Sequence, residues 1–412
     1  MLKNKLFRYG IFFIPLIFVF SQCINLKKKE DPRGSEYAGS ATCIKCHKDV
    51  YDSYLHTAHF IASSPADSNS ILGSFKSGSN QFIFSHHIKV AMEKRKSGYY
   101  QVTYADGKPT QAERFGVTFG GVKGQSFAYW YANELFQLPI SYVTKAHTWI
   151  NSPGYQSSEP DYERQITSRC LGCHMSYAQS EPGKLPIFSL HPEGFDRNSI
   201  IYNIDCERCH GPAAEHVKFQ TENPEVKEAK YIRTYQSLTR EQKISMCAVC
   251  HSGANNIMLK PTFGFKPGDT LSNYMKVVPS NLSANYENID VHGDQRGMLA
   301  TSRCYLMSNM DCATCHDTHR NERGDSLLYA QRCLNCHNAE TAHQGKLSTQ
   351  LSAAMIKSNC IACHMPAHPS KLIIAGQSGA MIHTHHIAIY SAETQKVLTY
   401  LKIKNTYTAK VH

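Results

Sequence analysis

Cys206-Glu207-Arg208-Cys209-His210-Gly211-Pro212 contains one of seven copies of a short pattern: cysteine, two residues, cysteine, histidine. The other six are Cys43-Cys46-His47, Cys170-Cys173-His174, Cys247-Cys250-His251, Cys312-Cys315-His316, Cys333-Cys336-His337 and Cys360-Cys363-His364. Fourteen of the sixteen cysteines are used in this way. A chain of this composition would produce the pattern by chance roughly 0.03 times, so the repetition reflects a chemical requirement.

The spacing states that requirement. Two thiols separated by two residues can each form a thioether with a vinyl group of haem, and the next residue then lies beneath the iron as its proximal ligand. The sequence therefore predicts seven covalently attached haems c, with the fourteen cysteines as attachment points and His47, His174, His210, His251, His316, His337 and His364 as proximal ligands. Zinc ribbons do not need histidine after every second cysteine. Disulfides are open to an exported chain, but seven Cys-x-x-Cys units would make an odd framework.

Composition agrees with a cofactor-filled interior. The chain has 412 residues and 22 histidines, yet only 42% are hydrophobic. Covalent attachment lets a modest aliphatic core suffice, because the cofactors replace part of it. The formal charge of +11 comes from scattered basic residues, which argues against nucleic acid as a partner. Two propionates per haem would add about fourteen negative charges, so the basic excess reads as compensation for cofactor charge.

Lys3, Lys5 and Arg8 precede a short apolar run, Ile11 to Phe20, the layout of an export signal. That run is shorter than the roughly twenty residues of a spanning helix. Cys23 stands where a lipoprotein signal places its lipidated cysteine, although Phe20 and Gln22 depart from the usual residues. The expectation is a periplasmic or cell-envelope protein, lipid-anchored at Cys23 to a membrane surface.

Fifteen histidines remain for the second axial position. The candidates are His59, His216, His292, His319, His343, His368 and His385. His319 and His216 follow their nearest motifs too closely to wrap around the same haem, so each is expected to ligate a neighbour. His59 falls near the end of a helix expected over 49–60, with His56 on a related face. His86, His87 and His147 lie in a strand-like region and read as structural. Met175 and Met365 read as haem packing, and Cys304 as a buried free thiol.

The expected fold is mainly α, with extensive irregular loops packed around haems and a small β-rich insert near residues 80–155. Aromatic and β-branched runs separated by Gly or Asp-Gly mark that insert. The organisation reads as a signal peptide over 1–22, a tether over 23–36, a first haem segment over 37–79 and the insert over 80–155. Haems two to four follow over 156–300, haems five to seven over 301–370, and a C-terminal tail over 371–412, with a helix from Ser391 to Lys404.

In patches covering most of its length the chain resembles the cytochrome c-552/4-type multihaem superfamily. The resemblance rests on Tyr37-Ala38-Gly39-Ser40, His59 after Tyr54, Cys206 to Pro212 leading to His216, Cys312 to His319, and Cys363-His364-Met365-Pro366. It implies closely packed haems, largely bis-histidine ligation and electron transfer outside the cytoplasm. The expected role is electron transfer in a respiratory chain, between redox partner proteins such as a quinol-oxidising membrane component and a terminal reductase. The alternative is a multihaem reductase or oxidase of a small nitrogen or sulfur compound, with one open-site haem.

Overall fold

A computed structural model of the chain describes residues 30–155, 158–184, 193–253, 255–278, 291, 293–338, 343, 352–375 and 378–408. The signal segment, Cys23 and His292 lie outside these residues.

The fold is mixed, with 30% helix and 25% strand, and corrects the expectation of a mainly α protein. Its N-terminal half is a large antiparallel β region. The strands are β1 (Ser63–Pro65), β2 (Gln81–Ile83), β3 (Ile88–Arg95), β4 (Gly98–Ala105), β5 (Lys108–Arg114), β6 (Val117–Gly120), β7 (Gly124–Tyr131), β8 (Glu134–Gln137), β9 (Ile140–Val143), β10 (Thr148–Asn151) and β11 (Gln165–Ile166). Four of them form a sheet in the order β2-β3-β4-β5. The other seven form a second sheet along β1-β6-β7-β8-β11, with β9 joining β7 to β10. Asp106 and Gly107, both at positive φ, make the two-residue turn between β4 and β5 that such a hairpin favours.

Alternation along the strands explains why the region is structural. Phe127 and Tyr129 of β7 join Val90, Met92, Phe136, Tyr142 and Trp149 in an aromatic core. Ala128, between them, points to the opposite face and packs with Val117, Leu135, Leu171, Met175 and Phe195. Leu171 belongs to the second Cys-x-x-Cys-His motif. The seven-stranded sheet is thus buried on both faces, and one face is the wall on which that motif rests. The flanking strands β1 and β11 are only three and two residues long, too short for periodicity to reveal.

The rest of the chain has short helices and small clusters. The helix expected over 49–60 spans only Lys48–Tyr54. Beyond it the chain tightens: Thr57 Oγ1 donates to the Tyr54 carbonyl at 2.8 Å and accepts from the Phe60 amide at 3.2 Å. Ala248, Val249, Phe265, Leu271 and Tyr274 pack around the helix Arg240–His251. At the C-terminus, the helix Ser391–Thr408 buries Leu398 and Leu401 against Met355 and Ile356. No helix among the described residues is long and apolar enough to cross a membrane.

Candidate haem-binding site

Each motif is local helical geometry before it is a binding site. The His47 amide donates to the Cys43 carbonyl at 2.9 Å, His316 to Cys312 at 3.0 Å and His337 to Cys333 at 3.0 Å. First cysteine and histidine therefore stand one turn apart on one face, with the second cysteine beside them. Asp205 and Asp311 cap two of these turns, accepting from the Arg208 and Thr314 amides. None of the fifteen described cysteines is in a disulfide.

Tertiary packing sets histidines opposite one another. The rings of His59 and His251 lie 6.3 Å apart between centroids. His210 stacks with His319 at 5.9 Å. His316 stacks with His385 at 6.0 Å, and His343 faces His364 at 5.9 Å. Two imidazoles bound to one metal at about 2.0 Å each hold their centroids roughly 6 Å apart. Every pair joins one motif histidine to one histidine from elsewhere, at the spacing an intervening iron requires.

One orphaned nitrogen points the same way. His368 Nε2 is buried without a hydrogen-bond partner, a cost that ligation or further binding would offset. Burial, then His251 and His319, lower the His59 pKa to about 4. Burial, then His316 and His251, lower that of His385 to about 4 as well. Both rings are neutral at pH 7, the form a metal binds. Beside His337 a cleft of about 570 Å³ opens, walled by Leu327, Leu334 and Ala354 with Gln331, Asn338 and Lys357 at its rim. The donor set and these spacings fit haem.

The remaining candidates are placed less symmetrically. His216 donates from Nδ1 to the Lys230 carbonyl, 2.8 Å away, and with His47 and His319 it acts electrostatically on His210. His368 lies 6.4 Å from the Tyr390 ring. His174 meets the edge of Phe119, from β6, at 5.6 Å. His87 pairs with Asp106 on the surface at 2.6 Å, and His147 Nδ1 is 3.4 Å from the Tyr142 hydroxyl. Cys304 is half-buried near Cys336, and burial raises its pKa.

The motifs also adjoin one another. The Cys43 sulfur lies beside that of Cys206, Cys173 beside Cys250, Cys247 beside Cys312 and Cys333 beside Cys360. Cys209 is near Cys250, and Cys315 is near Cys336. These contacts link the motifs in the order 1-3-4-5-6-7, with motif 2 branching from motif 4.

The two variable residues of motif 3 tie its neighbours in place. Glu207, almost wholly buried, accepts from the Ala38 amide at 2.8 Å, Gly39 at 2.8 Å, Ala213 at 2.9 Å and Arg33 at 3.1 Å. Burial pushes its carboxyl up, against these donors; a protonated acid would give up one of the four, so the carboxylate is the form this geometry holds. Burial lowers the Arg33 pKa, and its bonds to Asp31 and Asp205 more than reverse this. Arg208 turns the other way, donating to the Gly172 carbonyl of motif 2 at 3.1 Å and to Thr262 Oγ1 at 3.4 Å. Arg33 and Arg208 carry no signature in isolation. An aspartate directly before a motif, as at Asp205 and Asp311, is the one legible sign.

Motifs, histidine pairs and helix–sheet scaffold together define a multihaem c-type cytochrome, with c-type haems as its cofactors. The sequence profile of the family Cytochrome c554 and c-prime matches residues 140–211. The chain is 22% identical over 224 residues to the multiheme cytochrome MtrA of Shewanella baltica (strain OS185), covering 52% of this chain and 57% of that protein. It thus spans a little over half the length of this curated relative. The crystal structure of the outer cell wall cytochrome OcwA superposes with a TM-score of 0.51, covering 89% of this chain and 82% of that one at 18% identity. That likeness concerns the fold alone. The chain is thus similar in part of its sequence to cytochrome c554 and MtrA, and in fold to OcwA.

Proposed function

We propose that the chain carries seven haems c and passes electrons along them in the cell envelope, between a quinol-oxidising membrane component and a terminal reductase or extracellular acceptor. The carrying observation is the unbroken sequence of adjoining motifs, each in contact with at least one other. Bound haem supplies one-electron redox chemistry; the chain's own residues decide where each centre lies and how stable each charge state is. The cysteines would hold the rings, and the motif histidines would bind from one side. His59, His319, His385 and His343 would close the other side of motifs 4, 3, 5 and 7, while His216, His368 and His292 are proposed for the rest. The envelope location is supported by the export-like N-terminus and by the outer cell wall protein of similar fold, with Cys23 as a proposed lipid anchor.

The test is haem content together with low-temperature electron paramagnetic resonance of the fully oxidised holoprotein. The expected result is seven haems per chain, all low-spin ferric. A lower haem count overturns the stoichiometry, and a high-spin component near one equivalent overturns the purely electron-transferring role.

A further inference from the structure

The histidine pairs of motifs 3 and 5, motifs that both adjoin motif 4, differ in what stands behind their imidazoles. His319 Nδ1 faces the Asp317 carboxylate, whose Oδ1 is 3.4 Å away and also accepts from the His319 amide at 2.9 Å. The second Asp317 oxygen lies 3.3 Å from Arg320 Nε. His319 and Asp317 are partly exposed to solvent. His316 Nδ1 instead meets a neutral phenol, the Tyr329 hydroxyl, at 3.2 Å, with the Glu322 carboxylate acting on the ring from an ion pair with Arg332. Its partner His385 is largely withdrawn from solvent, with the His383 backbone as a hydrogen-bond partner.

A carboxylate behind an imidazole N–H makes the ring a stronger donor, and its negative charge favours the more positive state of the metal. A neutral hydroxyl in that place adds no charge and leaves the more positive state of the metal less favoured. We propose that Asp317 holds the centre between His210 and His319 at a lower reduction potential than the centre between His316 and His385. Tyr329 marks the upper end. An electron leaving the first centre oxidises it from ferrous to ferric and reduces the second from ferric to ferrous. No bond breaks, and the Nδ1 proton of His319 stays on its nitrogen. Transfer from motif 3 to motif 5, by way of motif 4, therefore runs downhill overall.

This inference rests on the reading that both pairs ligate haem iron, and the experiment separates the two. The holoprotein and its His319→Ala, Asp317→Asn and Tyr329→Phe variants are titrated with dithionite and ferricyanide, following visible and spin-resonance spectra. His319→Ala is expected to turn one haem equivalent from low-spin to high-spin; an unchanged spectrum overturns the ligation reading and this inference with it. Asp317→Asn is expected to keep every low-spin signal and raise the midpoint of one equivalent at the low-potential end. Tyr329→Phe should raise a different equivalent, at the higher end. With ligation intact, unmoved midpoints in Asp317→Asn, or movement at the upper end instead, overturn the tuning role alone.

Discussion

The four histidine pairs join residues from separate segments at a spacing that fits a metal between them. Their pKa values carry a consequence for pH. His59 and His385 are lowered to about 4, first by burial and then by neighbouring histidines. A histidine whose folded value lies below its unfolded value of about 6.5 destabilises the fold as pH falls through that window, because the unfolded chain takes up the proton first. Bound metal strengthens the same preference for the neutral ring. Low-spin visible spectra should therefore stay constant from neutral to mildly alkaline pH and fade only as the solution approaches about pH 4. A spectroscopic pH titration checks this; a loss of ligation centred at pH 6.5 would contradict it.

Short helical turns present the motifs, and their packing leaves little slack. Motif 2 lies on the seven-stranded sheet through Leu171 and Met175, while Gly172 receives Arg208 at its carbonyl and Thr262 at its α-carbon. A methyl group at Gly172 would sit 2.3 Å from Thr262 Oγ1. Gly172→Ala should thus shift the turn away from Thr262, at a cost of about 1–3 kcal/mol. The expected outcome is a lower unfolding midpoint and partial loss of haem at motif 2, read from thermal melts and haem content. Such an effect could not be foreseen from Cys170-Leu171-Gly172-Cys173, because Thr262 arrives from another segment. The recognisable part of the element is the motif itself. Its dependence on the sheet was hidden, since β1 and β11 contribute only a few residues each.

Across the whole molecule, contacts between motifs replace one large core. Besides the two clusters of the β half, the described residues form small groups such as Val291 with Met298 and Leu398 with Leu401. The N-terminal stretch Asp31 to Ser40 is bound to motif 3 through Arg33, whose side chain is 4% exposed and bonds to Asp31, Asp205 and Glu207. Removing one partner of a buried charge network leaves the others uncompensated, at a cost of about 3–5 kcal/mol. Arg33→Met should lower stability by that order, measured by denaturant unfolding of the holoprotein. Loss below 1 kcal/mol would mean that the three carboxylates find other partners.

The sequence alone determined the chemistry of attachment. Cys-x-x-Cys-His is complete within five residues, so its meaning needs no knowledge of what packs against it. It also showed the aromatic and β-branched runs of β4 and β7, because strand composition is local. Tertiary structure alone decided the breadth of the β half and the order in which motifs adjoin. It also decided which histidine faces which, as in the 192 positions between His59 and His251. Such pairings depend on packing between segments, and the energy that selects them is spread over many contacts that no single stretch of chain contains.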